Sequence, residues 1–269
     1  MNIICSGDCG VDHYVRSGQR RAGGITANFA LQARSCFEAT DIIRLVAPLG
    51  NDDDASIVER RFLNSGIECH FEVLAGTTPV QHIDVDKSGE RRFVGYEEGV
   101  LKSFRITEKH AALIADSDLL VAPVFEQNRD MFASIMSASA AGIIAVDFSD
   151  FAEHPDFDFL NQYAKQIKVA FFGLQSSQGE IIESLRLLAA KHKLLIVVTL
   201  GADGSRAFQS RDYYEVAAAP VESVIDTTGA GDAFAAGFLS RYCLSTNIEA
   251  ALSFGATVAA RVVQQPGAN

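Results

Sequence analysis

Short runs of apolar residues punctuate the chain at positions 3–5, 42–47, 119–122, 143–146, 169–172 and 194–198. They are near-continuous and rich in β-branched side chains, which suits strands covered on both faces of a parallel sheet. Between them, segments of helical period predict helices near 25–37, 53–64, 107–115, 127–140, 178–192, 230–242 and 247–263. Strands alternating with helices in this way predict the α/β class, with a doubly wound, mostly parallel sheet flanked by helices. No linker, low-complexity stretch or repeat divides residues 1–269, so one domain is expected.

One region breaks the rhythm. Residues 69–74, 80–86 and 91–96 read as strands, with Lys87-Ser88-Gly89 as a turn. In the middle strand Val80, His82, Asp84 and Asp86 share one face, and Gln81, Ile83 and Val85 the other. Such period-two alternation marks a sheet with one wet face. A small sheet inserted between α/β units is either a cover for a site or a plain surface hairpin, and the pattern alone does not choose.

In open parallel sheets, ligands gather beyond the carboxyl ends of the strands. Polar residues stand there: Asp8 and Asp12 after the first run, Asp147 and Asp150 after the run at 143–146, Thr199 after the run at 194–198. Ordinary loop polarity accounts for this placement equally well.

Hydrophobic residues make up 48% of the 269 positions and charged residues 21%, an ordinary globular composition. The net charge of −11 argues against a nucleic-acid surface, which needs clustered Lys and Arg. Arg20-Arg21, Arg60-Arg61 and Arg91-Arg92 are isolated pairs that read as solvated surface, although one could meet an anionic substrate. No apolar run approaches the roughly 18 residues of a membrane span. The five cysteines show no CxxC and no zinc spacing; an odd number without a signal peptide points to reduced thiols and a cytoplasmic location.

The most informative segment is Asp226-Thr-Thr-Gly-Ala-Gly-Asp232, which runs directly into an amphipathic helix of small residues. Gly229 and Gly231 let the backbone approach a ligand closely. The helix's first amides are then a natural seat for phosphate. Asp232 would stand beside that anion, as phosphoryl transfer to a hydroxyl requires. The bland reading makes Asp232 a mere helix cap. At a helix N-terminus its pKa is expected to lie low. Phe234 and Phe238 read as core, and Gly237 is costly inside a helix unless something packs closely against it. A dinucleotide fingerprint fails, since its third glycine would fall at Phe234, and no GK[ST] follows a glycine loop.

This segment resembles the second signature of the ribokinase-like (PfkB) carbohydrate kinases, D-T-x-G-A-G-D followed by a small-residue helix. Gly23-Gly24-Ile-Thr-Ala-Asn28 resembles the family's GGxxxN, and Thr199-Leu-Gly-Ala-Asp-Gly204 its TLGxxG. Alone, the first is common at a helix start and the second can be a β-turn; their order along the chain joins them. The resemblance implies a ribokinase-like fold with a small β-sheet lid from residues 11–16 and 69–96. It implies that Asp232 is the catalytic base and that the amides of Gly229, Ala230, Gly231 and Asp232 form an anion hole. Asp12, Gly23, Gly24 and Asn28 would bind the sugar, and Thr199, Gly201 and Gly204 the ATP. The backbone around Asp226 and Thr228 would hold a monovalent cation such as K⁺. Sugar and ATP are the implied partners, Mg²⁺ the implied cofactor, and a homodimer through the lid a further implication.

Gly7-Asp8-Cys-Gly-Val-Asp12, Gly95-Tyr-Glu-Glu-Gly-Val100 and Asp147-Phe-Ser-Asp150 are similar to the fructoselysine 6-kinase branch. That branch would make O6 of fructoselysine or a related fructosamine the acceptor. Many family members carry NxxE after a sheet strand to serve magnesium and phosphate. The corresponding stretch, Phe171-Phe-Gly-Leu-Gln-Ser-Ser-Gln-Gly-Glu180, has no Asn. Magnesium held through waters and phosphates, or Glu180 as a substitute, both stay open. So do a kinase of ribose, fructose or nucleosides, and a non-catalytic sugar or nucleotide sensor, although a pure binder needs no base at position 232.

Overall fold

The computed structural model describes residues 1–86, 91–138, 140–149 and 151–268. The expected turn at Lys87-Ser88-Gly89 and the residue Asp150 lie outside them. The chain opens with β1 (Asn2–Ser6), β2 (Gly10–Tyr14), β3 (Gln19–Gly23), α1 (Ile25–Cys36), β4 (Ile42–Leu49), α2 (Asp53–Phe62) and β5 (Glu68–Val73). It continues through β6 (Val80–Val85), β7 (Arg91–Glu97), α3 (Glu108–Ala115), β8 (Leu119–Pro123), α4 (Arg129–Ser137), β9 (Ile143–Asp147) and α5 (Phe157–Tyr163). It closes with β10 (Val169–Gly173), α6 (Gly179–His192), β11 (Leu195–Thr199), β12 (Ser205–Gln209), β13 (Asp212–Val216), α7 (Ala230–Ser245) and α8 (Ile248–Val262).

Nine strands form the large sheet in the order β13-β12-β11-β10-β9-β8-β1-β4-β5. All its neighbours pair in parallel except β11-β12 and β12-β13, an antiparallel hairpin at one edge. Alternate residues of each inner strand feed opposite cores. Ile3, Leu45, Leu195 and Val197 pack on one side with Phe29 of α1, Val58 of α2, Phe238 of α7 and Leu252 of α8. Ile4, Val46, Ile196 and Val198 pack on the other with Ile114 of α3, Phe132 of α4, Leu160 of α5 and Leu185 of α6. Two-sided burial is why these strands read as unbroken apolar runs. The helices α7 and α8 meet at Gly237, where a Cβ would come within 2.8 Å of a Val258 methyl group. The costly mid-helix glycine is thus explained by close packing, and Phe234 and Phe238 are core as expected.

A second sheet of four strands has the order β3-β2-β6-β7. Its membership differs from the expected lid in one respect. Residues 69–74, read as part of it, fall mostly in β5 (Glu68–Val73), which pairs in parallel with β4 at the edge of the large sheet. The inner residues of β5 are half-buried at that edge, with Phe71 set edge-on against Phe62 of α2 at 5.9 Å. Period two is common to both sheets, so it identifies a strand without saying which sheet it joins. In its place the small sheet takes β3, which the sequence pattern did not reveal. Among the described residues no helix is long and apolar enough to cross a membrane. All five cysteines are free, with Cys5 and Cys9 buried.

Candidate active site

The carboxyl ends of the parallel strands, the starts of α1 and α7, and the small sheet enclose a cavity of about 450 Å³. This is the size range of small-molecule sites. Gln81, Ile83 and Phe93 line it from the small sheet, and Phe171, Gly173 and Thr199 from the large one.

Two helices start at this cavity. Gly229 adopts φ 77° and turns the chain into α7, a conformation that costs glycine little. A side chain there would also strike Ala268, whose Cβ lies 2.4 Å from where a Cβ would fall. No side chain caps α7. The Ala230 amide donates to the Thr227 carbonyl at 3.2 Å, within the turn itself. A Cβ on Gly231, by contrast, would meet no atom within 4 Å, and Gly229 and Gly231 both line the cavity. Asp232 therefore does not serve as a cap. Its carboxylate turns to α1 and accepts a hydrogen bond from Nδ2 of Asn28 at 2.9 Å.

The loop ahead of α7 is braced by Asp226. This carboxylate accepts from the Thr228 amide at 2.9 Å, the Gly267 amide at 2.8 Å and the Tyr14 hydroxyl at 3.0 Å. Burial alone would raise its pKa, but these bonds outweigh burial and hold it below the ordinary value. The start of α1 is built differently. There the Asp8 carboxylate accepts from the amides of Ile25 and Thr26 at 2.9 and 3.1 Å, and from the Thr26 hydroxyl at 3.1 Å.

Asp8, Asp12, Asp147 and Asp232 all line the one cavity. Burial pushes Asp12 up to about 7, with Arg91 opposing and Asp8 and Asp226 adding to the rise. Burial, reinforced by Asp8 and opposed by Arg91, likewise brings Asp147 to about 7. Asp232 is pushed well above the carboxylate range by burial first and Asp147 second, against the Asn28 hydrogen bond and Arg91. This corrects the expectation of a low pKa for Asp232. Loss of water and the neighbouring carboxylates outweigh the helix N-terminus.

Of the residues singled out in the sequence, Asp12, Gly24, Asn28, Thr199, Thr228, Gly229, Gly231 and Asp232 meet at this cavity. Gly23 stands behind it, where a Cβ would fall 2.3 Å from the Asp12 carboxyl carbon, so its bareness makes room for that side chain. Ala230 and Asp226 shape the α7 turn. Gly201 opens a single 3-10 turn, Gly201–Asp203, after β11. Gly204 closes it, where a Cβ would fall 2.2 Å from the Val216 carbonyl oxygen. Glu180 is exposed in the first turn of α6 and is not among the cavity residues. Among the described residues no group of three or more His, Cys, Asp and Glu side chains could hold a metal ion.

The sequence marks Asp8 and Asp147 as polar residues after strands and leaves Arg91 in one of three pairs that read as surface unless one meets an anionic substrate. Arg91 lines the cavity from β7. The signal for it was present, since position 91 shares a face with Phe93 in a strand of period two. Tyr14 and Gly267 carried no signal, because each matters only through a partner far along the chain.

A model of the pfkB family carbohydrate kinases matches residues 2–269, and the chain belongs to that family. It is a phosphotransferase with an alcohol group as acceptor, as members of the family are. It is 28% identical over 263 residues to the fructoselysine 6-kinase of Escherichia coli, covering 97% of each chain. It is 26% identical to a fructosamine kinase of Bacillus subtilis, covering all of this chain and 93% of the relative. An ATP-dependent ribose-1-phosphate kinase of Halopiger xanaduensis is 27% identical, over 94% of this chain and 84% of its own. The structure of Arabidopsis thaliana ribokinase complexed with ribose and ATP superimposes with a TM-score of 0.80 at 19% identity, over 98% of this chain and 93% of that one. The fold is the ribokinase fold.

Proposed function

We propose that this kinase transfers the γ-phosphoryl group of ATP to O6 of a fructosamine, with fructoselysine as the leading substrate. The observation that carries the transfer is the Asp232 carboxylate standing at an uncapped helix start that opens into the cavity. The sugar would lie between Asp12, Asn28 and the small sheet, which would act as a lid, and its O6 would point at Asp232. As O6 bonds to phosphorus, its proton passes to the Asp232 carboxylate. The bond from phosphorus to the bridging oxygen breaks, and ADP leaves. Burial raises the Asp232 pKa, which makes its carboxylate a stronger proton acceptor than an ordinary one. The amides at Gly229, Gly231 and Asp232 would bear the charge on the transferring group.

Kinases of the family use ATP with a divalent metal. With no preformed cluster of protein ligands among the described residues, magnesium would be carried by phosphates and waters, screening phosphate charge. The scheme needs no monovalent cation at the backbone around Asp226 and Thr228.

The choice of a fructosamine is supported by the Escherichia coli and Bacillus subtilis relatives. It is supported also by the cavity's chemistry. A fructosamine carries an ammonium, and Glu126, Glu153, Tyr96 and Phe125 line the cavity, offering carboxylates and aromatic rings to a cation. A ribose-type acceptor is the second reading, favoured by the Halopiger relative. Turnover on fructoselysine, fructose, ribose and a nucleoside, followed by ADP release, separates them. Fructoselysine should show the highest kcat/KM, and NMR of the product should place phosphate on O6. A preference of about tenfold or more for ribose or a nucleoside would select the second reading.

A further inference from the structure

Arg91 is the only Lys or Arg among the described residues lining the cavity. Its backbone amide donates to the Thr227 hydroxyl at 3.3 Å, and its Nη1 donates to the Thr227 carbonyl at 3.1 Å. That same carbonyl takes the Ala230 amide and so closes the α7 turn. The guanidinium also lies over the Phe93 ring, 4.8 Å from its centre, which holds the side chain against β7. The small sheet is therefore tied to the α7 turn by the amide and side chain of Arg91, beside the Tyr14 hydroxyl on Asp226.

We propose that Arg91 is a positioning residue for phosphoryl transfer. It fixes the small sheet on the α7 turn and supplies the standing positive charge that keeps the buried base ready to accept a proton. This inference rests on the transfer proposed above. A bare surface tie would not need a cation at this place. Asp8 after β1, Asp12 on β2, Asp147 at the end of β9 and Asp232 on α7 all open into the same cavity. Glu126, Glu153, His154 and Tyr96 line it too, while Tyr14 and Asp226 stand behind Thr228. Burial first, and neighbouring carboxylates with it, press Asp12, Asp147 and Asp232 toward their protonated forms, and Arg91 opposes that pressure on all three. An opposite charge nearby favours the ionised form. Without Arg91 the base should keep its proton to higher pH.

The test compares wild type, Arg91→Met and Arg91→Lys in two ways. In the free protein, carboxyl carbons are titrated by ¹³C NMR. The buried carboxylates should titrate about one pH unit higher in Arg91→Met and at their original position in Arg91→Lys. In turnover, the acid limb of kcat should move to higher pH in Arg91→Met and return in Arg91→Lys. Plateau kcat should fall about a hundredfold in Arg91→Met. If titration and acid limb are unmoved in Arg91→Met, the inference is overturned, even where KM for the sugar has risen. The NMR arm needs neither sugar nor ATP. If wild type phosphorylates no sugar, the proposed function fails, while the titration still decides whether Arg91 sets the charge.

Discussion

The two helix starts at the cavity share a glycine N-cap and are opposites in what they hold. Each has a glycine at its N-cap in the positive-φ region, Gly24 at 101° and Gly229 at 77°, and neither glycine can cap through a side chain. At α1 the protein provides its own anion, because the Asp8 carboxylate accepts from both leading amides. At α7 no side chain takes that place, and the space before Gly231 is open. A helix start satisfied from within is architecture, whereas one with free amides facing a cavity suits an external anion. On the proposed function the two glycine turns have different duties, the first orienting Asn28 and the second receiving phosphate.

The largest expected effect is at Asp232. Asp232→Asn should lower kcat by about a thousandfold, with little change in sugar KM and, since it removes a buried carboxyl of raised pKa, a higher melting temperature at pH 8; near-normal turnover would remove Asp232 from the role of base. Gly231→Ala comes next. A methyl group there meets no protein atom but intrudes on the open helix start, so kcat/KM for ATP should fall about thirtyfold at unchanged melting temperature. Loss of stability without loss of ATP use would mean that the space is structural.

Asp8→Ala should do the reverse. It leaves the Ile25 and Thr26 amides without their acceptor and should lower stability by about 1–2 kcal/mol, read by denaturant unfolding. An unchanged midpoint would show that α1 does not need its internal anion.

Asp147→Asn gives the smallest effect and fixes a sign. Asp147 raises Asp232, so its removal should move the acid limb of kcat to lower pH, opposite to the change expected at Arg91. Its own pKa is raised from 3.8 to about 7. The unfolded chain therefore loses this proton first as pH rises, and the folded protein loses stability between those two values. Asp147→Asn should flatten that decline, raising the melting temperature at pH 8 by about 2–4 °C.

The same contrast separates what was legible in the sequence from what was not. The inner strands could be read because burial on both faces leaves an unbroken apolar run. The α7 turn could be read because the glycines and aspartates that build it are contiguous. The place of β5 could not, since choice of sheet depends on a hydrogen-bonding partner and not on period. The hairpin of β12 and β13 lacked the apolar density of the inner strands, and α5, at seven residues, is too short to display a helical period. The Asp232 pKa was misjudged for a related reason. The helix N-terminus is visible in sequence, but Asp147, 85 positions away, is a neighbour only in the fold. Which of the three arginine pairs meets a cavity was not legible either, because each looks like surface in an acidic chain until the fold is known.

The central claim is that phosphate rests at the open start of α7 while the acceptor hydroxyl faces Asp232. A crystal structure with ADP, a fluoride mimic of the transferring phosphoryl group and fructoselysine tests it most directly. The account predicts fluorides within hydrogen-bond reach of the amides of Gly229, Gly231 and Asp232, and O6 about 3 Å from the Asp232 carboxylate. A mimic bound away from α7, or a hydroxyl directed at Asp12 or Asp147 in place of Asp232, would contradict it.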